Sequence, residues 1–228
     1  MANSLKTSLF IRQVLREFRL LSRQKQALMQ AFLFFLMFVA FFPLTIPFDL
    51  KTLHLICPGI IWLAMSLAIF LASERFYLTD IQCGYLEQWL VYRISLQTFV
   101  FSKWLVHGFV NILGMMICIP ILALLYQLSF SESIALAGSL LVGSPALLAM
   151  CGMVSAFGAD GPNRSVLMLL ILFPLMMPIL ILGSATLSAS FQSLSIAPYL
   201  ALLLALSLSL LFILSFATAS ILKICLEN

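Results

Sequence analysis

Two histidines, five cysteines and eight acidic residues are the side chains in these 228 residues best suited to hold a metal, activate a nucleophile or relay a proton. Their spacing does not support those reactions. Nucleophilic catalysis needs a serine or cysteine beside a base, and His107 with Asn111, one helical turn apart, has no such neighbour in sequence. The cysteines are Cys57, Cys83, Cys118, Cys151 and Cys225; they form no C-x-x-C pair, and their odd number argues against a disulfide framework. Three of them fall in apolar runs, where cysteine acts as a small hydrophobe. Met115-Met116 and Met176-Met177 read as core or lipid-facing filler. The informative chemistry is recognition. Leu78, Ile81, Tyr85, Trp89 and Tyr92 recur at three- and four-residue spacing and form one apolar stripe, with Asp80, Gly84 and Glu87 on the opposite face. Anionic headgroups repel an acidic face, so adhesion to lipid explains this helix poorly and a basic or hydrogen-bonding protein partner explains it better. Glu74 and Arg75 stand at its start, placed to pair with each other or to anchor its hinge.

The elements that position this helix are six long apolar runs, at residues 27–48, 55–73, 104–128, 134–159, 165–189 and 198–222. Each has the length of about 20 residues that a helix needs to cross a hydrocarbon core. Backbone groups in lipid must be satisfied within their own segment, so the runs are predicted helices. The chain is 63% hydrophobic and 9% charged, against about 25% charge in a soluble domain. No segment outside the runs is long enough to be a nucleotide-binding or catalytic domain, so any energy source is another chain or an ion gradient. Ion-coupled carriers place ionisable groups at mid-bilayer, and these runs have none near their centres. An intramembrane enzyme is disfavoured by the missing partner of His107.

Basic residues alternate in side. Lys6, Arg12, Arg16, Arg19, Arg23, Lys25, Arg75, Arg93, Lys103, Arg164 and Lys223 flank one set of run ends, and only Lys51 flanks the other. Positive-inside bias then places both termini in the cytoplasm. The net charge of +4 reflects this topology and not nucleic-acid binding. Residues 1–25 do not read as a cleavable signal. Apolar Leu5, Leu9, Ile11, Val14, Leu15, Phe18 and Leu21 interleave with Arg12, Arg16, Arg19 and Arg23, which predicts a basic amphipathic helix in the membrane interface with its arginines near headgroups. Pro43 and Pro47 are expected to break or kink the first run near its outer end. Ser139 and Gly143 make a small-xxx-small pair for close helix approach.

Glu74-Arg75, Asp80 and Gly84-Tyr85-Leu86-Glu87-Gln88-Trp89-Leu90 resemble the E-R…G-x-L-E-x-L segment of ABC-2 type permeases. Phe42-Pro43-Leu44-Thr45-Ile46 and Pro58-Gly59-Ile60-Ile61-Trp62 narrow the resemblance to the CcmB family, the B-type permease subunits of the bacterial cytochrome c maturation haem exporter. The resemblance implies an all-α inner-membrane protein of six transmembrane helices, a single ABC-2 permease domain over residues 1–228 with an interfacial elbow helix at 1–25 and a coupling helix at 74–95. It implies that Glu74, Arg75, Asp80, Gly84 and Glu87 serve coupling to an A-type ATPase, where ATP would bind. It also implies a second permease copy, a haem-handling C-type subunit, a small D-type subunit and, indirectly, a periplasmic haem chaperone. The alternative is an ABC-2 permease exporting a lipid, polysaccharide or drug. Haem ligation needs histidine or a comparable donor, and topology puts His54 and His107 at opposite depths, so one haem cannot be sandwiched between them in a monomer.

Overall fold

In a computed structural model, residues 2–23, 25–45, 49–73, 76–92, 94–157 and 164–227 are described, and they form nine helices and no strand. The helices are α1 (Ala2–Arg23), α2 (Lys25–Thr45), α3 (Leu50–Ser73), α4 (Leu78–Gln82), α5 (Tyr85–Val91), α6 (Leu96–Leu125), α7 (Phe130–Phe157), α8 (Arg164–Phe191) and α9 (Ala197–Glu227). Among the described residues, the stretches built on α3, α6, α7, α8 and α9 are long and apolar enough to cross a membrane. The run expected at 27–48 becomes α2, whose apolar stretch Met29–Thr45 is shorter. Pro43 lies inside α2 and does not end it, while Pro47 lies outside the described residues.

α7 is the axle of the bundle, packed against α3, α6, α8 and α9. Its small residues allow this, because without a Cβ or with a short side chain neighbouring backbones and rings come close. The indole of Trp62 on α3 fills the space left by Gly143 of α7 and Gly183 of α8, and Trp104 of α6 fills the space left by Gly152. Hydroxyls inside the spans bond mostly to their own helices, as Ser66, Ser102, Ser139, Ser209 and Ser215 do three residues back.

Two expectations change. The third run starts earlier than its apolar residues suggest, because α6 begins at Leu96 and takes in Lys103. A lysine interrupts a hydropathy pattern, but here two carboxylates compensate its charge. The segment read as one amphipathic helix is a helical hairpin, α4 and α5, broken at Gly84, which has φ 65°. That left-handed conformation costs glycine little and costs other L-residues more. The break also redistributes the stripe: Leu86 and Trp89 are buried, whereas Tyr92 is 75% exposed.

Candidate functional site

The α1 helix turns an unusual face inward. Gln13, Glu17 and Leu21, each four residues from the next, are buried, while Ile11, Leu15 and Phe18 are about half exposed beside exposed Arg12 and Arg19. The polar inward face exists because α4 and α6 bring matching charges to it. Arg16 reaches Glu17 Oε1 at 3.0 Å and Asp80 Oδ1 at 3.1 Å. Its guanidinium carbon lies 3.4 Å above the centre of the Tyr85 ring, a planar stack that lysine does not reproduce. Lys103 contacts Asp80 directly and Glu17 Oε2 at 3.6 Å. Gln13 donates to Glu17 Oε1 at 2.9 Å and accepts from the Tyr85 hydroxyl at 2.7 Å.

Two cations and two carboxylates thus neutralise one another, with the side chains of Lys103, Asp80 and Glu17 at most 6% exposed. Aromatic walls exclude water: Phe76, Tyr77 and Phe99 stand 5.5–5.6 Å from the Lys103 ammonium, and Trp104 donates to the Tyr77 hydroxyl at 3.0 Å. Such a buried network adds little stability relative to an apolar core, but removing one partner strands a charge. Its structural effect is to tie α1, the α4–α5 hairpin and the base of α6 into one body.

Burial pushes the Glu17 carboxyl above its ordinary value of 4.5, opposed by Lys103, aided by Asp80 and opposed by Arg16. A raised folded-state pKa gives stability that is complete below pH 4.5 and lost as pH rises through the folded value. Glu17→Gln is therefore expected to flatten the decline in stability above that pH. Thermal unfolding of both proteins across a pH series checks this, and parallel curves would exclude Glu17 as its source.

The predicted site residues separate. Asp80 is buried in the ionic cluster and is not offered to an outside partner. Glu87 is exposed, and Gly84 sits at the hairpin turn. Glu74 and Arg75 lie outside the described residues. Of the four arginines, Arg12 and Arg19 face outward, Arg16 faces the cluster, and Arg23 is the last residue of α1. Exposed Gln82, Cys83, Glu87, Gln88, Val91 and Tyr92 make the outer surface of the hairpin. His54 donates from Nε2 to the Tyr126 carbonyl at 3.2 Å and stacks on Phe191 at 4.4 Å; His107 is buried 4.3 Å from the Phe76 ring. No cluster of potential metal ligands occurs among the described residues.

Sequence reasoning missed Gln13, Glu17 and Lys103. The signal was present: Glu17 is the one acid in the first 25 residues, one turn after Gln13 on the same helix face.

The CcmB protein family model matches residues 8–225. The chain is 36% identical to Heme exporter protein B of Pseudomonas aeruginosa over 210 residues, covering 92% of this chain and 94% of that protein. It is 31% identical to the Haemophilus influenzae protein of the same name over 220 residues, with 96% and 100% covered. Against Heme exporter protein B of Escherichia coli K12 the identity is 33% over 213 residues, with 92% and 96% covered. A family match spanning nearly the whole chain, with relatives covered over 94% or more of their own length, makes this chain a member of the CcmB protein family.

Proposed function

We propose that this protein is the membrane subunit of an ATP-driven haem exporter of cytochrome c maturation, and that it transmits the stroke of a separate ATPase. The observation that carries this reading is the hairpin: its outer surface bears Glu87 and exposed apolar side chains, while Asp80 and Tyr85 bolt its inner side to α1 and α6. A lever needs a free surface to be pushed and a rigid connection to the part that moves. In a CcmB family member the names of the relatives supply the cargo, haem. They disfavour the alternative of lipid, polysaccharide or drug export by an otherwise similar ABC-2 permease.

In this reading the chain is one permease domain and not an enzyme. α2 is the sixth span, since its 21 residues suffice with modest mismatch, and both termini lie in the cytoplasm of a bacterial inner membrane. α1 lies flat in the inner interface, with Ile11, Leu15 and Phe18 toward the acyl region and Arg12 and Arg19 beside anionic lipid headgroups. The A-type ATPase binds ATP and docks on the hairpin, with Gly84 setting the turn, Glu87 at the contact and Glu74-Arg75 at the hinge. Asp80 acts from inside as a positioning residue. A second permease copy completes the pair, C-type and D-type subunits lie alongside, and a periplasmic haem chaperone receives the product. His54 and His107 are both engaged by local contacts and are not assigned to haem.

Glu87→Lys is expected to reduce co-purification of the ATPase subunit about tenfold while membrane insertion and thermal stability stay unchanged, because an exposed charge is reversed at a contact that electrostatics steers. Wild-type recovery of the ATPase with this variant would remove the hairpin as its docking surface.

A further inference from the structure

Asn111 carries a carboxamide inside a span. Its Nδ2 donates to the His107 carbonyl one turn back at 2.9 Å, which fixes the orientation of the amide. Among the described residues Oδ1 receives no hydrogen bond. Asn111 lines a cavity of about 340 Å³ between α2, α3 and α6, within the size range of small-molecule sites. Every other lining side chain is apolar: the rings of Phe32 and Phe35 and the thioethers of Met29 and Met115 form its walls, and Ala68 lines the α3 side. Gly114 keeps it open, since a Cβ there would meet only Phe32, at 3.9 Å. The α3 and α6 walls belong to stretches apolar enough to cross a membrane, so a ligand reaches this cavity from the hydrocarbon and not from water.

We propose that this cavity binds a compact, membrane-soluble phenol, its ring among the phenylalanines and methionines and its hydroxyl donating to Asn111 Oδ1. Two observations select that class. The first is length. The lining residues run over 29–35 of α2 and 110–117 of α6, about 10 Å along the helix axes. That is one third of a hydrocarbon core of about 30 Å, too short a seat for a partner's spanning helix or for a whole acyl chain. The second is chemistry. An acceptor shielded from water favours a ligand that brings one O–H, because leaving it unpaired costs more than a made bond returns. Thioethers and ring edges suit an aromatic body better than a flexible chain. The site also adjoins the ionic cluster. His107, whose carbonyl holds Asn111, packs 4.3 Å from the Phe76 ring, which stands 5.5 Å from the Lys103 ammonium. A bound ring would therefore steady the base of α6 where the hairpin is tied. That consequence rests on the lever reading above; the binding itself does not.

The test uses the full chain in mild detergent at neutral pH, titrated with para-trifluoromethylphenol or with trifluoromethylbenzene, which lacks only the hydroxyl. Fluorine NMR separates the protein-bound probe from probe dissolved in micelles. The phenol is expected to bind about fivefold more tightly, the ratio that one hydrogen bond in an apolar site supplies. Asn111→Leu is expected to abolish that preference while both rings still bind. Gly114→Leu, which fills the cavity, is expected to remove the bound signal of both probes, with thermal unfolding confirming that each variant is folded. Leu113→Ala, on the exposed side of α6, is expected to change nothing. No bound signal in the wild type, equal affinity for the two probes, or a hydroxyl preference that survives Asn111→Leu would overturn the site. Absence of phenol binding together with loss of a co-purifying membrane subunit from Gly114→Leu would assign the cavity to that partner instead. Because no ATPase is present in the titration, failure here would leave the docking role of the hairpin standing.

Discussion

Asp80→Ala is expected to destabilise the protein by about 3–5 kcal/mol, the cost of breaking one side of a buried ion pair. The substitution leaves Arg16 and Lys103 facing Glu17 alone, with one positive charge uncompensated in a site walled by Phe76, Tyr77 and Phe99. Adding Lys103→Met restores charge balance, because Arg16 and Glu17 still pair at 3.0 Å. The double variant is therefore expected to recover most of the loss. Thermal unfolding of the detergent-solubilised protein for the four members of this cycle measures the coupling directly. If Asp80→Ala were no more damaging than Glu87→Ala at the exposed tip, the cluster would not be what holds the hairpin. Comparison of the Asp80 and Glu87 variants separates two roles that the hairpin acids share in sequence. Asp80 holds the lever, and its loss lowers stability first. In the proposed reading Glu87 meets the partner, and its loss is expected to change association without unfolding.

Gly183→Ala carries the second large effect. A Cβ there would stand 2.1 Å from Trp62 Cε2 and 2.2 Å from Cζ2, distances that no side-chain adjustment absorbs in a packed core. Trp62 cannot yield toward α7, since a Cβ on Gly143 would stand 2.4 Å from its Cη2. Overpacking of this kind costs about 1–3 kcal/mol and occasionally more, and here the upper end is expected. Gly138→Ala is the control: its Cβ would meet Leu200 at 3.8 Å, an ordinary contact, and the change should be neutral or slightly stabilising. Trp62→Leu in the Gly183→Ala background is expected to relieve the clash. It also removes a buried indole N–H that has no hydrogen-bond partner. Comparable stability of Gly183→Ala and Gly138→Ala would show that α3, α7 and α8 are not wedged by Trp62.

The apolar runs and their flanking charges determine a helical membrane protein from sequence alone, because hydrocarbon admits few alternatives to helix and penalises charge at any depth. The same local physics marks the N-terminal amphipathic helix, and the short segments around Glu74-Arg75 and Gly84–Leu90 point to the family. Tertiary structure decided the rest. Hydropathy counts Lys103 as a boundary, yet α6 continues through it because Asp80 and Glu17, distant in sequence, neutralise its charge. Periodicity assigns Arg16 to the lipid surface with Arg12 and Arg19, yet stacking on Tyr85 and pairing with Asp80 turn it inward. The stripe from Leu78 to Tyr92 suggests one helix, and the left-handed Gly84 makes two. In each case the deciding energy is an interaction between residues far apart along the chain. A local pattern records which face of a helix is polar, but not whether that face meets water, lipid or an opposite charge.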